Sequence, residues 1–529
     1  MGRVRLRGTG GTVIPKRAIL PETAPSWQPL ERLRQRRRHG VLTCALLTAA
    51  VLFASCSGGD GPTSAPRPNI VIILADDLGW TDVSFHGGSI ATPNIDRIAV
   101  EGAELARYYV APVCSPTRAG LMTGRYPIRF GAMRAVYPPW RAGGMDTSER
   151  TFADVLGDAG YEHRAIFGKW HLGHTAKRHH PLRRGFTEFY GHYNGAIDYF
   201  THEREGELDW HEGFEPSFDE GYATDLIADR AASFIRTHAT DDTPFLCYVP
   251  FNAPHSPFQA KPEDLPGYAT LPPARGRFEP DADRQVKAAR KRHDANRKVL
   301  GAMVHALDRA VGKLLDTIDE SGISERTIVL FSSDNGGVSG VGENTPLRGG
   351  KATVFEGGIR VAAAVRWSGT IPAGQKIEEP IANIDILPTL MRVAGIREQG
   401  GKPLDGLDVL DVWKGNSRTL ERELFNYIGQ TGPDTEQISY MTNDWKLVVL
   451  GPVVTDETAN DALRTRFLFR ISEDPFEEHN VIGEHPDIAT EMYEKILDFR
   501  ALQPADAVVP YQVGREGFKA PKMWEMSGE

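Results

Sequence analysis

Ile70-Val71-Ile72-Ile73-Leu74, followed almost at once by Asp76-Asp77, decides the fold. A run of β-branched and large aliphatic residues leaves no polar face for water. It predicts a strand covered on both sides, as in a mainly parallel sheet. Four more runs share this texture: His163–Phe167, Phe245–Pro250, Thr327–Phe331 and Val361–Val365. Helical patterns alternate with them at Asn94–Ala99, Thr151–Ala159, Asp225–Thr237 and Arg297–Glu320. That βαβα order predicts an α/β fold: a large, mixed but mostly parallel central sheet sandwiched by helices. After Asn416 the texture changes. Shorter strand-like segments at Leu424–Tyr427, Trp445–Leu450 and Phe467–Ile471 precede a helix over Asp487–Leu502. The expected organisation is a large α/β domain over residues 67–416, then a smaller α+β subdomain with an antiparallel sheet over 417–529.

Composition narrows the class. Of 529 residues, 40% are hydrophobic and 25% charged, as in globular chains, which excludes disorder or a long coiled coil as a description of the whole. A mean hydropathy of −0.35 and short apolar runs exclude a polytopic membrane protein. The formal net charge is −9, and residues 1–55 carry ten basic and two acidic side chains, so the remainder carries −17. A body that acidic is no nucleic-acid partner and needs a local basic cleft to handle anions. Arg290-Lys291-Arg292 reads as a solvated helix face.

The first 55 residues read as a signal segment. Arg32, Arg34, Arg36, Arg37 and Arg38 precede an apolar stretch, Val41–Ala54, too short to span a bilayer. Phe53-Ala54-Ser55-Cys56 resembles a bacterial lipobox, although Phe53 replaces the usual Leu or Val. This implies an extracytoplasmic protein, periplasmic or held to the outer membrane only by a lipid on Cys56. The alternative is an ordinary signal peptide with an incidental cysteine. Residues 56–66 follow as a Gly/Ser/Pro-rich tether. With Cys44 removed and Cys56 acylated, Cys114 and Cys247 remain, and Cys247 lies in an apolar run as a small buried hydrophobe.

In open α/β sheets, ligands bind beyond the carboxyl ends of the strands. Those ends carry Asp76-Asp77, Asp334-Asn335, Lys169 with His171, and Asn252 with His255. Asp76, Asp77, Asp334 and Asn335 are hard oxygen donors, suited to Ca²⁺, with Mg²⁺ as the alternative. A single Asp after a strand is more simply a turn or helix cap; two pairs after two buried strands predict a metal site. His179-His180 read as loop residues near substrate, and Trp140, Tyr199, His202, Trp210 and His211 as candidates for substrate subsites or core.

Cys114-Ser115-Pro116-Thr117-Arg118 continues to Thr123-Gly124-Arg125. Ser115 suits a helix N-cap and Pro116 the first helical position, which puts Cys114 just ahead of an anion-favouring helix end. On its own, Cys114 is equally a reactive or a structural thiol. The segment Cys-x-Pro-x-Arg with Thr-Gly-Arg resembles the signature of the type I sulfatases, a formylglycine-dependent family of the alkaline phosphatase superfamily. Further segments match in family order: Asp76-Asp77, Gly168–Gly173, Ala253-Pro254-His255, Ser333–Gly337, and Leu347–Lys351 with Glu356-Gly357-Gly358. Asp198–His202, His255–Ala260 and Asp405-Gly406 are most similar to the arylsulfatase B, or N-acetylgalactosamine-4-sulfatase, branch.

The resemblance implies a sulfuric ester hydrolase acting on a sulfated carbohydrate, such as an N-acetylgalactosamine sulfate, or on an aryl sulfate. It implies that a formylglycine-generating enzyme converts Cys114 to Cα-formylglycine, whose hydrate attacks sulfur to give a covalent sulfoenzyme. It implies one Ca²⁺ held by Asp76, Asp77, Asp334 and Asn335 and touching residue 114. Arg118 would hold the diol and the metal-side oxygens. Lys169 would pair with a sulfate oxygen and the diol, and His171 would be the base that drives sulfate elimination. His255 and Lys351 would bind the ester and assist the leaving oxygen. Two alternatives stand beside this reading: a phosphatase or phosphonate monoester hydrolase of the same superfamily, and a lipoprotein that binds sulfated glycans without turnover.

Overall fold

The opening run forms β1 (Asn69–Ala75), buried along its whole length. Successive side chains point to opposite faces. Ile70, Ile72 and Leu74 enter one apolar cluster, and Val71, Ile73 and Ala75 enter the other. The computed structural model describes residues 67–276, 280–398, 400–416, 419–454 and 462–528. The signal segment, Cys44, Cys56 and the whole tether lie outside them. Among the described residues no helix is long and apolar enough to cross a membrane.

The large sheet also contains β2 (Ala103–Leu105), β3 (His163–Lys169), β4 (Glu188–His192), β5 (Phe245–Pro250), β6 (Thr327–Ser333) and β7 (Ala363–Arg366). Its ten strands run in the order Gln375–Ile377, β2, β7, β6, β1, β5, β3, β4, His211–Glu212, Glu215–Pro216. The block β6-β1-β5-β3-β4 is parallel throughout, whereas β7 and His211–Glu212 pair antiparallel on either side of it. Helices α1 (Pro93–Glu101), α4 (Ala223–His238) and α5 (Arg290–Glu320) cover one face. Helices α2 (Cys114–Thr123), α3 (Phe152–Asp158) and α6 (Ile386–Ala394) cover the other. This is the predicted sandwich. A reciprocal capping box starts α3, Thr151 accepting from Asp154 N and Asp154 from Thr151 N. As expected, Arg290, Lys291 and Arg292 are exposed at the start of α5.

Val361–Val365 departs from the expectation of one strand. Arg360–Val361 pairs with Tyr108–Tyr109 in a separate three-stranded sheet, and β7 alone joins the large one, antiparallel. Continuous apolarity reports burial on both faces, not strand direction.

The smaller sheet is antiparallel, ordered β8 (Leu424–Ile428), β9 (Gln437–Met441), β10 (Lys446–Leu450) and β11 (Thr465–Phe469), with α7 (Pro486–Ala501) packed against it. Sequence reading missed β9, where Gln437 and Ser439 interrupt the apolar residues. Lys446 of β10, fully buried, reaches Glu356 and Glu477, each at 2.8 Å. Burial, opposed by Lys446 and reinforced by Glu356, pushes the Glu477 carboxyl up to about 7. At Glu356 burial pushes the same way, but Lys446 and Arg360 outweigh it and hold the carboxyl below its usual range.

A carboxyl whose folded value is raised contributes stability fully below its unfolded value, and loses it as pH rises through the folded value. Glu477 should therefore cost stability progressively between about pH 4.5 and 7. Glu477→Gln should flatten that part of a denaturant-unfolding pH series. Lys446→Met, which strands two buried carboxylates, should cost about 3–5 kcal/mol. An unchanged slope in the first variant, or an unchanged midpoint in the second, refutes this account.

After α7 the chain crosses back to the large sheet's ligand end. Val508 N donates to Gly131 O at 2.8 Å, Tyr511 N to Gln430 O at 2.7 Å and Ser527 N to Thr175 O at 3.0 Å.

Candidate active site

The carboxyl ends of β1, β6, β3 and β5 converge. Asp76 follows β1 and donates its N–H to Ala253 O at 3.0 Å; Asp334 follows β6 and donates to Ala75 O at 3.0 Å. Asp77 N donates to Asp334 Oδ1 at 3.3 Å, and Asn335 Nδ2 to Asp77 Oδ1 at 2.8 Å. All four residues are 2% exposed or less. Gly336 is required beside them, because a Cβ there would lie 1.8 Å from Gly357 O.

Three cations surround the carboxylates. Lys169, the last residue of β3, binds Asp76. Lys351 Nζ lies 2.7 Å from Asp77 Oδ2. Arg118 donates to Asp334 Oδ2 through Nη2 at 2.8 Å and Nε at 3.1 Å, and through Nη1 to Lys169 O at 2.9 Å. Burial, with the Asp76 charge beside it, still pushes the Asp334 carboxyl up. Asp76 Oδ1 and Asn335 Oδ1 are buried with no hydrogen-bond partner among the described residues. Two orphaned hard oxygens among three carboxylates are the donor set that a divalent cation satisfies. Asp76, Asp334 and the Cys114 sulfur also place ligand atoms within 4.8 Å of one another.

Helix α2 presents Cys114 to this cluster. It begins at Cys114 itself, with Val113 at the N-cap, rather than at Pro116 as the sequence suggested. The Ser115 hydroxyl is engaged elsewhere: it donates to His171 O at 3.0 Å and accepts from Tyr137 N at 3.2 Å. Pro116 is tolerated because first-turn amides have no partner in the helix. Gly124, left-handed at φ 64°, closes the helix by donating to Gly120 O.

Cys114 Sγ lies 3.3 Å from His171 Nδ1, and His171 Nε2 lies 3.1 Å from Tyr137 O. A carbonyl only accepts, so Nε2 carries the proton and the Nδ1 lone pair faces residue 114. Burial, with Lys169 and Arg118 nearby, holds His171 well below its usual value, so the ring is neutral. Burial pushes the Cys114 thiol up, against the pull of Lys169 and Lys351. His171 and Asp77 both adopt positive φ, 55° and 68°, an uncommon backbone for such residues that the surrounding packing enforces. His255, beyond β5, turns Nε2 to within 3.5 Å of Asp77 Oδ2. Burial, opposed by Asp77, pushes its value down to about 3.

The structure thus gathers ten of the candidates: Cys114, His171, His255 and Lys351 line one cavity of about 460 Å³, and Asp76, Asp77, Arg118, Lys169, Asp334 and Asn335 are linked to them through the hydrogen bonds and ion pairs above. It does not gather every candidate. His179 is buried and bonded to Met145 O, and His180 to Gly213 O, so both are structural. Tyr199 is a brace, donating to Asn252 O and His255 O. Trp210 is buried against the His202 ring, and His211 stacks on Tyr193. Trp140 is one layer back, donating to Tyr511 O at 2.7 Å. Sequence reasoning missed Tyr137, Arg204, Gln430 and Tyr511, which line the mouth. It also missed Gly195, where a Cβ would come within 2.4 Å of the His171 ring. The only local signal was the turn-like Asn194-Gly195 pair.

The sulfatase family model matches residues 68–396. The N-acetylgalactosamine-6-sulfatase of Mus musculus is 32% identical over 475 residues, covering 82% of this chain and 86% of its own. Arylsulfatase J of Mus musculus is 28% identical over 482 residues, covering 83% and 77%. Among solved structures, Ps i-CgsB in complex with k-i-k-neocarrahexaose is similar at TM-score 0.72 and 28% identity, over 85% of this chain and 96% of that one.

Proposed function

The chain belongs to the sulfatase family, a sulfuric ester hydrolase, and we propose that it desulfates a sulfated carbohydrate using Cys114 converted to Cα-formylglycine. The observation that carries this reading is the pairing of Cys114 with the unprotonated nitrogen of a neutral His171, beside the buried carboxylates and Arg118. The name of the N-acetylgalactosamine-6-sulfatase relative and the oligosaccharide in the Ps i-CgsB complex support a sugar substrate.

Asp76, Asp77, Asp334 and Asn335, with residue 114, would hold one Ca²⁺, which would neutralise charge on the ester oxygens. Formylglycine, as its hydrate, would provide one hydroxyl to attack sulfur and a second to expel sulfate. The chain's own side chains do the rest. Arg118, fixed at both ends by Asp334 and Lys169 O, orients residue 114. His171 Nδ1 takes a proton from the group at 114, while the Tyr137 carbonyl holds the ring in the required tautomer. Lys169, paired with Asp76, and Lys351, in the cavity wall, bring positive charge to the site of the ester, and His255 stands in the same wall to assist the leaving oxygen. The basic flank and short apolar run before Cys56 support export, with a lipid anchor on Cys56 and a formylglycine-generating enzyme as the maturation partner.

The test pairs chemistry with rate. Mass spectrometry of the peptide spanning Cys114 should find the aldehyde. On matched aryl sulfate and aryl phosphate, kcat/KM should favour the sulfate at least tenfold, about 1.4 kcal/mol of transition-state preference. A preference for phosphate would make the chain a phosphatase of this fold, and binding without turnover by the modified protein would make it a lectin-like lipoprotein.

A further inference from the structure

The mouth of the cavity holds more positive charge than the reacting ester uses. Its lining includes the cations Arg204 and Lys351 beside a neutral His255 and, among the described residues, no carboxylate, on a body whose charge is strongly negative. Lys351 and His255 are already turned toward Asp77. Arg204 is different. It sits in the short hairpin Glu203–Leu208, and its side chain, 21% exposed, reaches the Tyr511 hydroxyl. Its Nε is buried with no hydrogen-bond partner among the described residues. Its carboxylate contact is the adjacent Glu205, at 3.3 Å and one-third exposed, a pair of little energetic weight.

This arrangement is held in place from behind. Trp524, fully buried, donates to Arg204 O at 2.9 Å, and Met523 N donates to Glu207 Oε2 at 3.1 Å. Tyr511 is pinned on both sides, donating from N to Gln430 O and accepting at O from Trp140 Nε1. The segment after α7 therefore both delivers Tyr511 and braces the Arg204 hairpin. These restraints act on the Arg204 carbonyl and on neighbouring residues rather than on the guanidinium.

We propose that Arg204 and Tyr511 form a subsite for a second anionic group, a sulfate or a carboxylate, carried by the sugar that bears the scissile ester or by its neighbour. A planar guanidinium with an unused N–H suits an oxyanion, and the phenol adds a donor beside it. The substrate class is then a saccharide with two anions, the one cleaved over residue 114 and the other left at the mouth.

The inference rests on the sulfatase reading, and the experiment keeps the two apart. Three substrates are compared: an aryl sulfate, a disulfated disaccharide and a monosulfated disaccharide containing a uronic acid. In Arg204→Gln, the ratio of kcat/KM on the better dianionic substrate to that on the aryl sulfate should fall about tenfold to a hundredfold, mainly through KM. Arg204→Lys should restore part of it. Which disaccharide responds identifies the anion. An equal loss on all three, or no change in the ratio, overturns the proposal. Calorimetric binding of the same disaccharides to Cys114→Ala protein, with and without Arg204→Gln, reads the subsite without turnover. Selective binding by a protein that hydrolyses no sulfate ester would sink the hydrolase reading and leave the subsite standing, whereas equal affinities with and without Arg204 would sink the subsite alone.

Discussion

Cys114→Ser should yield a protein that reacts with an aryl sulfate once and then stops. The side chain is 2% exposed at the start of α2, between Val113 and Val136, so exchanging sulfur for oxygen leaves the packing intact. A serine hydroxyl 114 would still face the Nδ1 lone pair of His171, which can accept its proton as sulfur is attacked. The resulting ester has no second hydroxyl on the same carbon, so nothing drives sulfate out. Turnover should drop by about four orders of magnitude or more, the scale on which losing a nucleophile acts. Mass spectrometry should find sulfate on the peptide spanning residue 114 in stoichiometric amount. Cys114→Ala should show neither turnover nor adduct, with a thermal midpoint near that of the parent. Repeated turnover by the serine variant would eliminate the two-hydroxyl mechanism and favour direct attack by water.

Much of this site was legible before any coordinate. Asp76-Asp77 and Asp334-Asn335 follow buried parallel strands, and the ligand-binding end of such a sheet is a topological consequence, so their meeting could be read from order alone. Lys169 and His171 were legible for the same reason at the end of β3. What could not be read is what depends on distant backbone. The direction of β7 is set by its partners β6 and β2, not by its own apolar residues. Ser115 has the composition of a cap, but a tertiary demand from His171 O and Tyr137 N takes its hydroxyl.

The mouth was the least legible part. Tyr199, Trp210 and His202 have the chemistry of sugar platforms, yet they form the wall behind His255 and the Arg204 hairpin. The residues that do line the mouth come from segments with no shared signal: Tyr137, a two-stranded hairpin, Gln430 after β8, and Tyr511 nearly 400 residues along the chain from Cys114. Periodicity identifies elements that bury apolar faces; it is silent about a polar segment held by Tyr511 N, Ser527 N and one buried Trp524.

Asp334→Asn should separate the metal from the scaffold. Alanine here would strand Arg118, whose side chain is fully buried and whose carboxylate partner at 2.8 Å is Asp334, and the cost of that stranded charge would obscure any effect of the ion. Asparagine keeps an oxygen to accept from Arg118, gives up the 3.3 Å contact from Asp77 N, and removes one of the three negative charges. In the parent protein, Ca²⁺ at about a hundredfold excess over its Kd should add about 2.7 kcal/mol to stability, read as a rise in thermal midpoint over a chelated sample. The rise reflects satisfaction of Asp76 Oδ1 and Asn335 Oδ1 and relief of repulsion among Asp76, Asp77 and Asp334. In Asp334→Asn the rise should shrink or vanish at the same Ca²⁺ concentration, and kcat/KM should fall at least a hundredfold, about 2.7 kcal/mol in transition-state terms. Lys169 and Lys351 already neutralise part of the cluster, so the chelated parent should remain folded but inactive. Full activity in a preparation verified as metal-free, or an identical midpoint with and without Ca²⁺ or Mg²⁺, would mean that the lysines and Arg118 balance the carboxylates alone and that no cation belongs in the cluster.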